Sequence, residues 1–171
     1  EAPVRGFHRT RLTTGGLQDE FPYPALHFLL DLPAVILGLP YETTAAVFLL
    51  LFAFSLRRMP EESAAIFAGA LHVPWLLVPY LAGGVTDLPW AFFLVAAVLA
   101  PARTRWLWAG LAAAHKHPGA VGLLLLAARE WRCGGAAAAR RFLLRAGSVA
   151  FAFQLPFLIA DPGSYLFCVT R

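Results

Sequence analysis

The chain has 171 residues, of which 59% are hydrophobic and only 14% charged, with a formal net charge of +4 and a mean hydropathy of +0.65. A soluble domain carries roughly 25% charged residues, so there is too little polar surface here for a water-soluble globule, and an all-α polytopic membrane protein is expected instead. The positive balance does not point to nucleic acid, because the arginines sit in short clusters between apolar blocks, as in the cytoplasmic loops of membrane proteins.

Residues 1–20 are polar, with Arg5, Arg9, Arg11 and a Thr13-Thr14-Gly15-Gly16 turn signal, and are expected to form an extracytoplasmic loop ending in Asp19 and Glu20. The chain starts at Glu1 without a methionine, has no basic segment leading into an apolar leader, and stops just after an apolar block, so it reads as an internal fragment. From residue 21 to 171 a transmembrane helical domain is expected, built from six apolar blocks at 21–39, 43–56, 64–82, 88–100, 106–128 and 142–160. A hydrocarbon core about 30 Å thick needs roughly 20 helical residues, and these blocks approach or reach that length.

The first block carries His27, Asp31 and Pro33 at mid-length. His27 and Asp31 are four apart and share a helical face, and the proline predicts a broken helix that dips in and returns. The third block holds His72 and Pro74, which read as packing and kink positions. Asp87 follows Gly83-Gly84 in the short connection to the fourth block; an aspartate in a tight turn is usually a turn former, but it is also a carboxylate able to act as a general base.

Placing Arg57-Arg58, Arg103/Arg105 and the group Arg129, Arg132, Arg140, Arg141 and Arg145 all in the cytoplasm decides the reading of the fifth block. A full crossing by 106–128 would put the last group on the wrong side. That block has His115-Lys116-His117-Pro118 at its centre, and Pro118 removes a backbone donor and disfavours helix in the residue before it. A re-entrant hairpin that rises from the cytoplasmic side, turns at 115–118 and returns keeps every cluster inside, with 129–141 as an arginine-rich loop containing Cys133. In the last block Gln154 and Pro156 read as packing and kink positions, and Asp161-Pro162-Gly163 as a turn. Cys133 and Cys168 are too far apart in sequence to suggest a disulfide framework or metal ligation.

Lys116 is the single lysine among 14 basic residues and lies between two histidines inside an apolar block. An ionisable group at a helix centre in a bilayer costs at least about 2.5–3.5 kcal/mol on insertion scales, so it needs a partner or a task. An ammonium beside His115 and His117, with backbone donors freed by the break, is a plausible seat for a phosphate; a wetted loop between two short spans is the plainer alternative. Two histidines do not complete a metal site, and none is expected.

The run Thr86-Asp87-Leu88-Pro89-Trp90-Ala91-Phe92-Phe93, then Arg105-Trp106-Leu107-Trp108-Ala109-Gly110-Leu111, then Lys116 through Pro118-Gly119 and a leucine run, preceded by Phe21-Pro22-Tyr23-Pro24-Ala25-Leu26 and followed by Leu155-Pro156-Phe157-Leu158 and Asp161-Pro162-Gly163, resembles the GT-C superfamily of polyprenyl-phosphate-sugar glycosyltransferases. Protein mannosyltransferases and aminoarabinose transferases belong to it, and the likeness is to the bacterial branch. Ala25 stands where a second proline is common, and histidines flank the lysine where threonine or serine often precedes it.

The resemblance implies inverting transfer of a sugar from a lipid-linked phosphate donor to an acceptor hydroxyl, on the extracytoplasmic side of a prokaryotic cell membrane. It implies Asp87 as the acidic base, with Asp19 and Glu20 placed near it only by their proximity to the tyrosine-proline motif, and Lys116 with His115 and His117 near the donor phosphate. The expected partners are the lipid-linked sugar and membrane lipid. A transporter or lipid flippase with broken helices is the rival expectation, and a non-catalytic membrane subunit the third. Depth separates the first two: an enzyme of this kind needs its charged groups near the outer face, a transporter near the midplane.

Overall fold

The computed structural model describes residues 10–11, 17–18, 25–40, 42–61 and 87–163. Asp19, Glu20, His72, Pro74, Cys168 and the whole block 64–82 lie outside the described residues. Within them the fold is helical: α1 Ala25–Ile36, α2 Glu42–Leu56, α3 Asp87–Leu99, α4 Ala102–His115 and α5 His117–Ala160. The polar N-terminal stretch contributes one short antiparallel ladder, β1 Thr10–Arg11 against β2 Leu17–Gln18, with Thr10 opposite Gln18. The ladder brackets the Thr13–Gly16 turn signal.

α1 corrects the expected break in the first block, because it runs through both Asp31 and Pro33. The proline deletes one backbone donor, but the ladder resumes past it, with Leu37 N–H donating to the Pro33 carbonyl at 3.1 Å. The stop comes later, at Gly38, whose φ of 65° is the left-handed conformation that glycine adopts without strain. Leu39 N–H then reaches the Ala34 carbonyl and Gly38 N–H the Val35 carbonyl, the paired bonds of a Schellman cap. Pro40 follows and cannot continue a helix.

Aromatic rings tie α2 to α3 and α4. Phe48 meets Phe92 and Phe93 edge-on at 5.6 and 5.5 Å between centroids, Phe52 meets Phe92 at 5.7 Å, and Phe93 stacks on Trp108 at 6.3 Å. Leu26 of α1, Ala112 and Ala114 complete this cluster. Beyond α2, the Arg57 and Arg58 guanidinium groups lie over the Phe54 ring at 5.8 and 5.9 Å.

α3, α4 and α5 form the rest of the bundle, and two short connections fix their directions. Between α3 and α4 the chain turns at Ala100-Pro101, so the two helices run antiparallel, with Arg105 Nε donating to the Ala97 carbonyl and Trp108 on Phe93. Between α4 and α5 the link is one residue: Lys116 takes an extended conformation (φ −159°, ψ 152°) that ends one helix and starts the next. Pro118 then occupies the first turn of α5, where its missing N–H costs nothing.

α5 is continuous in sequence but not in direction. Gly135 has φ 72° and ψ −177°, so helical geometry fails at that one residue and the chain folds back. The segment 117–134 descends along α4, with Gly119 against Ala112 and Glu130 against Arg105, while 136–160 ascends again, with Ala146 against Gly110 and Gln154 against Ala114. The stretch read as an arginine-rich loop is therefore helical on both sides of a single elbow. Its arginines and the run Ala136–Ala139 are good helix formers, and only the glycine yields.

The helices meet through small residues. Ala97, Ala109, Ala112, Ala114, Ala127, Ala139 and Ala146 are buried, whereas Leu124, Leu125, Leu144, Phe151 and Ile159 are exposed. A Cβ at Gly110 would lie 2.6 Å from the Ala146 carbonyl oxygen, and one at Gly119 would collide with the Ala112 backbone. One helix, His117–Ala160, is long and apolar enough to cross a membrane by length and composition, and its elbow divides it into stretches of about 27 and 37 Å at 1.5 Å per residue.

Candidate functional site

The antiparallel register of α3 and α4 carries Asp87, the first residue of α3, to the end of the bundle where α4 finishes at His115. Arg105 near Ala97 and Trp108 near Phe93 set that register, and stepping up it brings position 87 level with 114–115. So position 87 and the His115-Lys116-His117 turn share one end. Six of the seven arginines between residues 103 and 145 lie toward the other, and Arg145 lies at mid-height, next to the Ala146 that packs on Gly110. Arg103 and Arg105 open α4, Arg129 and Arg132 close the descending segment, and Arg140 and Arg141 begin the ascending one.

Asp87 is the first residue of α3, and Pro89 in the first turn has no donor to waste.

The three residues of the turn have different surroundings. His115 is the only buried polar or charged residue among the described residues, at 1% exposure, with its Nδ1 in the interior. Lys116 is half-buried, and His117 is exposed at the start of α5. The expectation of two imidazoles flanking one ammonium in a common pocket is therefore corrected: one ring is packed between helices and the other is in the open. The freed donors are also fewer than expected. Lys116 N–H bonds the Ala112 carbonyl at 3.3 Å, Gly119 N–H bonds the Lys116 carbonyl at 2.9 Å, and Pro118 has none.

Gln154 reaches this end from the ascending segment and donates from Nε2 to the Ala114 carbonyl at 3.2 Å. It satisfies one of the carbonyls that the end of α4 leaves without a helical partner. Asp161, seven residues beyond Gln154, caps the end of α5 with its N–H on the Phe157 carbonyl, about 10 Å further along the axis. The Lys116 turn therefore lies below the end of the ascending segment. Among the described residues no group of three metal-ligating side chains comes together.

At the arginine end, Arg105 and Glu130 form an ion pair at 2.5 Å, both side chains mostly buried. Arg105 also donates to the Ala97 and Ala100 carbonyls, at 3.2 and 3.3 Å, so one guanidinium closes the C-terminus of α3 and ties it to α5. Sequence reasoning missed this pair, although the signal was present: with the reversal at Lys116, Arg105 and Glu130 are at similar distances from the turn, eleven residues before and fourteen after.

No family model, no curated protein and no solved structure matches the chain.

Proposed function

We propose that the chain belongs to the membrane domain of a GT-C-type glycosyltransferase, which moves a sugar from a polyprenyl-phosphate-linked donor to an acceptor hydroxyl on the extracytoplasmic face of a prokaryotic cell membrane. The membrane part of this reading is supported by the many large apolar side chains left exposed, among them Leu124, Leu125, Leu144, Phe151 and Ile159, while alanines and glycines share the helix contacts with a core of phenylalanine and leucine. Water-soluble bundles bury their large apolar side chains, whereas helices in lipid approach closely through small ones.

The observation that carries the enzyme reading is the separation of charges along the bundle. Arginines gather at one end, as cytoplasmic residues do, and the Asp87 position and Lys116 gather at the other. That is the juxtaposition a lipid-linked donor needs: a carboxylate to take the acceptor proton, and a cation to hold the phosphate that leaves as the glycosidic bond to the acceptor forms. Transfer of this kind needs no covalent enzyme intermediate.

The depth of the turn favours a second reading. α4 is 14 residues long, about 21 Å, which falls short of a hydrocarbon core of about 30 Å. Lys116 at the tip of such a hairpin lies closer to the midplane than to the outer surface, where the ion and substrate sites of secondary transporters lie.

Two experiments test these readings. The first is labelling with a membrane-impermeant maleimide in intact cells, on a Cys168→Ser background. The exposed native Cys133 should react only after permeabilisation, and a cysteine in place of Gly163 should react before it. The reverse pattern would overturn the orientation, and full extraction of the protein by alkaline carbonate would remove the membrane reading.

The second concerns Lys116. Lys116→Gln should weaken binding of a polyprenyl-phosphate-sugar analogue roughly tenfold or more, the scale of one charge-assisted phosphate contact. Lys116→Arg should recover part of it, because arginine keeps the charge but changes geometry and hydration. Equal affinity and equal salt dependence for Lys116→Gln would sink the phosphate role. Export of an intact lipid-linked substrate without sugar transfer would establish the transporter instead.

A further inference from the structure

The elbow at Gly135 brings together two helical stripes of the same design, read in opposite directions. On the descending segment, Val121, Leu125, Arg129 and Arg132 follow one another at helical spacing, all of them exposed. On the ascending segment Arg140 and Arg141 come first, and the exposed residues Leu144, Phe151 and Ile159 follow. Because the segments are antiparallel, both apolar stripes rise from about one level, and both arginine pairs lie within six residues of the elbow, about 9 Å along the axis. Trp131, 64% exposed, stands between the arginines of the first stripe, at the level where an interfacial aromatic ring is favoured.

Among the described residues the charge at this end is not balanced from within. Glu130 is the only acidic residue between 88 and 160, and it is committed to Arg105. Among the described residues, Arg129, Arg132, Arg140 and Arg141 make no ion pair with the protein. Four neighbouring guanidinium groups repel one another unless an external anion is close. Helical Cα–Cβ bonds tilt toward the N-terminus, which for the ascending segment is the elbow itself, so Arg140 and Arg141 lean toward the same level as Arg132.

We propose that the Gly135 elbow is a binding site for an anionic phospholipid, in which Arg129, Arg132, Arg140 and Arg141 hold the headgroup phosphate and the two apolar stripes carry the acyl chains. This rests on the membrane reading above and is independent of the glycosyltransferase reading. The charges select an anion, and guanidinium forks match phosphate oxygens in pairs. The exposed apolar residues above them, Val121 and Leu125 on one segment and Leu144, Phe151 and Ile159 on the other, select a phosphate that carries hydrocarbon. A soluble acidic protein would leave those side chains uncovered.

The test uses the full-length protein in phosphatidylcholine nanodiscs with a trace of spin-labelled phosphatidylglycerol or spin-labelled phosphatidylcholine, and reads the motionally restricted fraction by electron paramagnetic resonance. At low salt the protein should prefer phosphatidylglycerol at least about fivefold, the scale of one arginine near an anionic headgroup, and the preference should shrink as salt rises. The variant Arg129→Gln/Arg132→Gln/Arg140→Gln/Arg141→Gln should lose the preference while keeping its helical circular dichroism. The four-fold lysine variant should retain most of it, and Arg57→Gln/Arg58→Gln all of it. No preference in the wild type, or an unchanged preference in the glutamine variant, would overturn the site. Displacement of the labelled lipid by inorganic phosphate or polyglutamate as readily as by unlabelled phosphatidylglycerol would overturn it too. A protein that stays in solution without detergent or bilayer would overturn the membrane reading, and this site with it.

Discussion

Asp87→Asn should leave the full-length protein folded and reduce sugar transfer at least about a hundredfold, the lower range for loss of a general acid or base. The substitution separates chemistry from architecture because asparagine can do everything structural that the position requires. Asp87 begins α3, and asparagine is as good as aspartate at the start of a helix. It removes only the negative charge and, with it, the capacity to act as the base proposed above. The readout is initial rate with a lipid-linked donor and an acceptor alcohol, beside the binding constant for the donor. A selective fall in turnover with donor binding intact fits a base. Near-normal transfer would return Asp87 to a purely structural part, and a parallel collapse of binding and helix content would do the same.

The largest effect on stability is expected at the other end. Glu130→Ala should destabilise the folded protein by about 3 kcal/mol, the low end for breaking a buried pair and leaving one charge behind. Arg105→Ala should cost more, because it removes the ion pair and also two hydrogen bonds to the carbonyls of Ala97 and Ala100. The charge swap Arg105→Glu/Glu130→Arg should not rescue, since a carboxylate at 105 cannot donate to those carbonyls. Reversible denaturation of the purified protein in mixed micelles measures all three. Changes under about 0.5 kcal/mol, the size of an ordinary surface substitution, would show that the pair holds nothing.

How much of this was legible in the sequence depends on which force set each feature. The reversal at Lys116 was legible because Pro118 acts locally: it removes a donor and restricts its neighbour wherever it stands. The break assigned to Pro33 failed for a related reason, since one lost hydrogen bond does not stop a helix whose neighbouring bonds persist, and the stop falls at Gly38, where a cap is built.

Residues 129–141 were misread because their charge suggested a loop, while arginine and alanine both favour helix and only Gly135 turns the chain. The shared end of Asp87 and Lys116 could be expected from the placement of the arginines, but the burial of His115 and the exposure of His117 could not. Those depend on which faces of α4 and α5 pack together, a tertiary outcome that no residue type announces. Asp19 and Glu20 lie outside the described residues.

The one-residue link at Lys116 also bears on how the chain could be made. If the chain lies in a membrane as proposed, α4, about 21 Å long, falls short of a bilayer core of about 30 Å, and the segment 117–134, about 27 Å, only approaches it. On that reading the two would enter as a pair during synthesis, tip first. A hairpin inserted in that way would carry into the core only what lies at its tip, one lysine and its two histidine neighbours, and leave the arginines near its base on the side where they were translated. The orientation of this part of the protein would then be fixed before the ascending segment emerges from the ribosome, and a substitution that lengthened the link would act first on insertion and only afterwards on any chemistry.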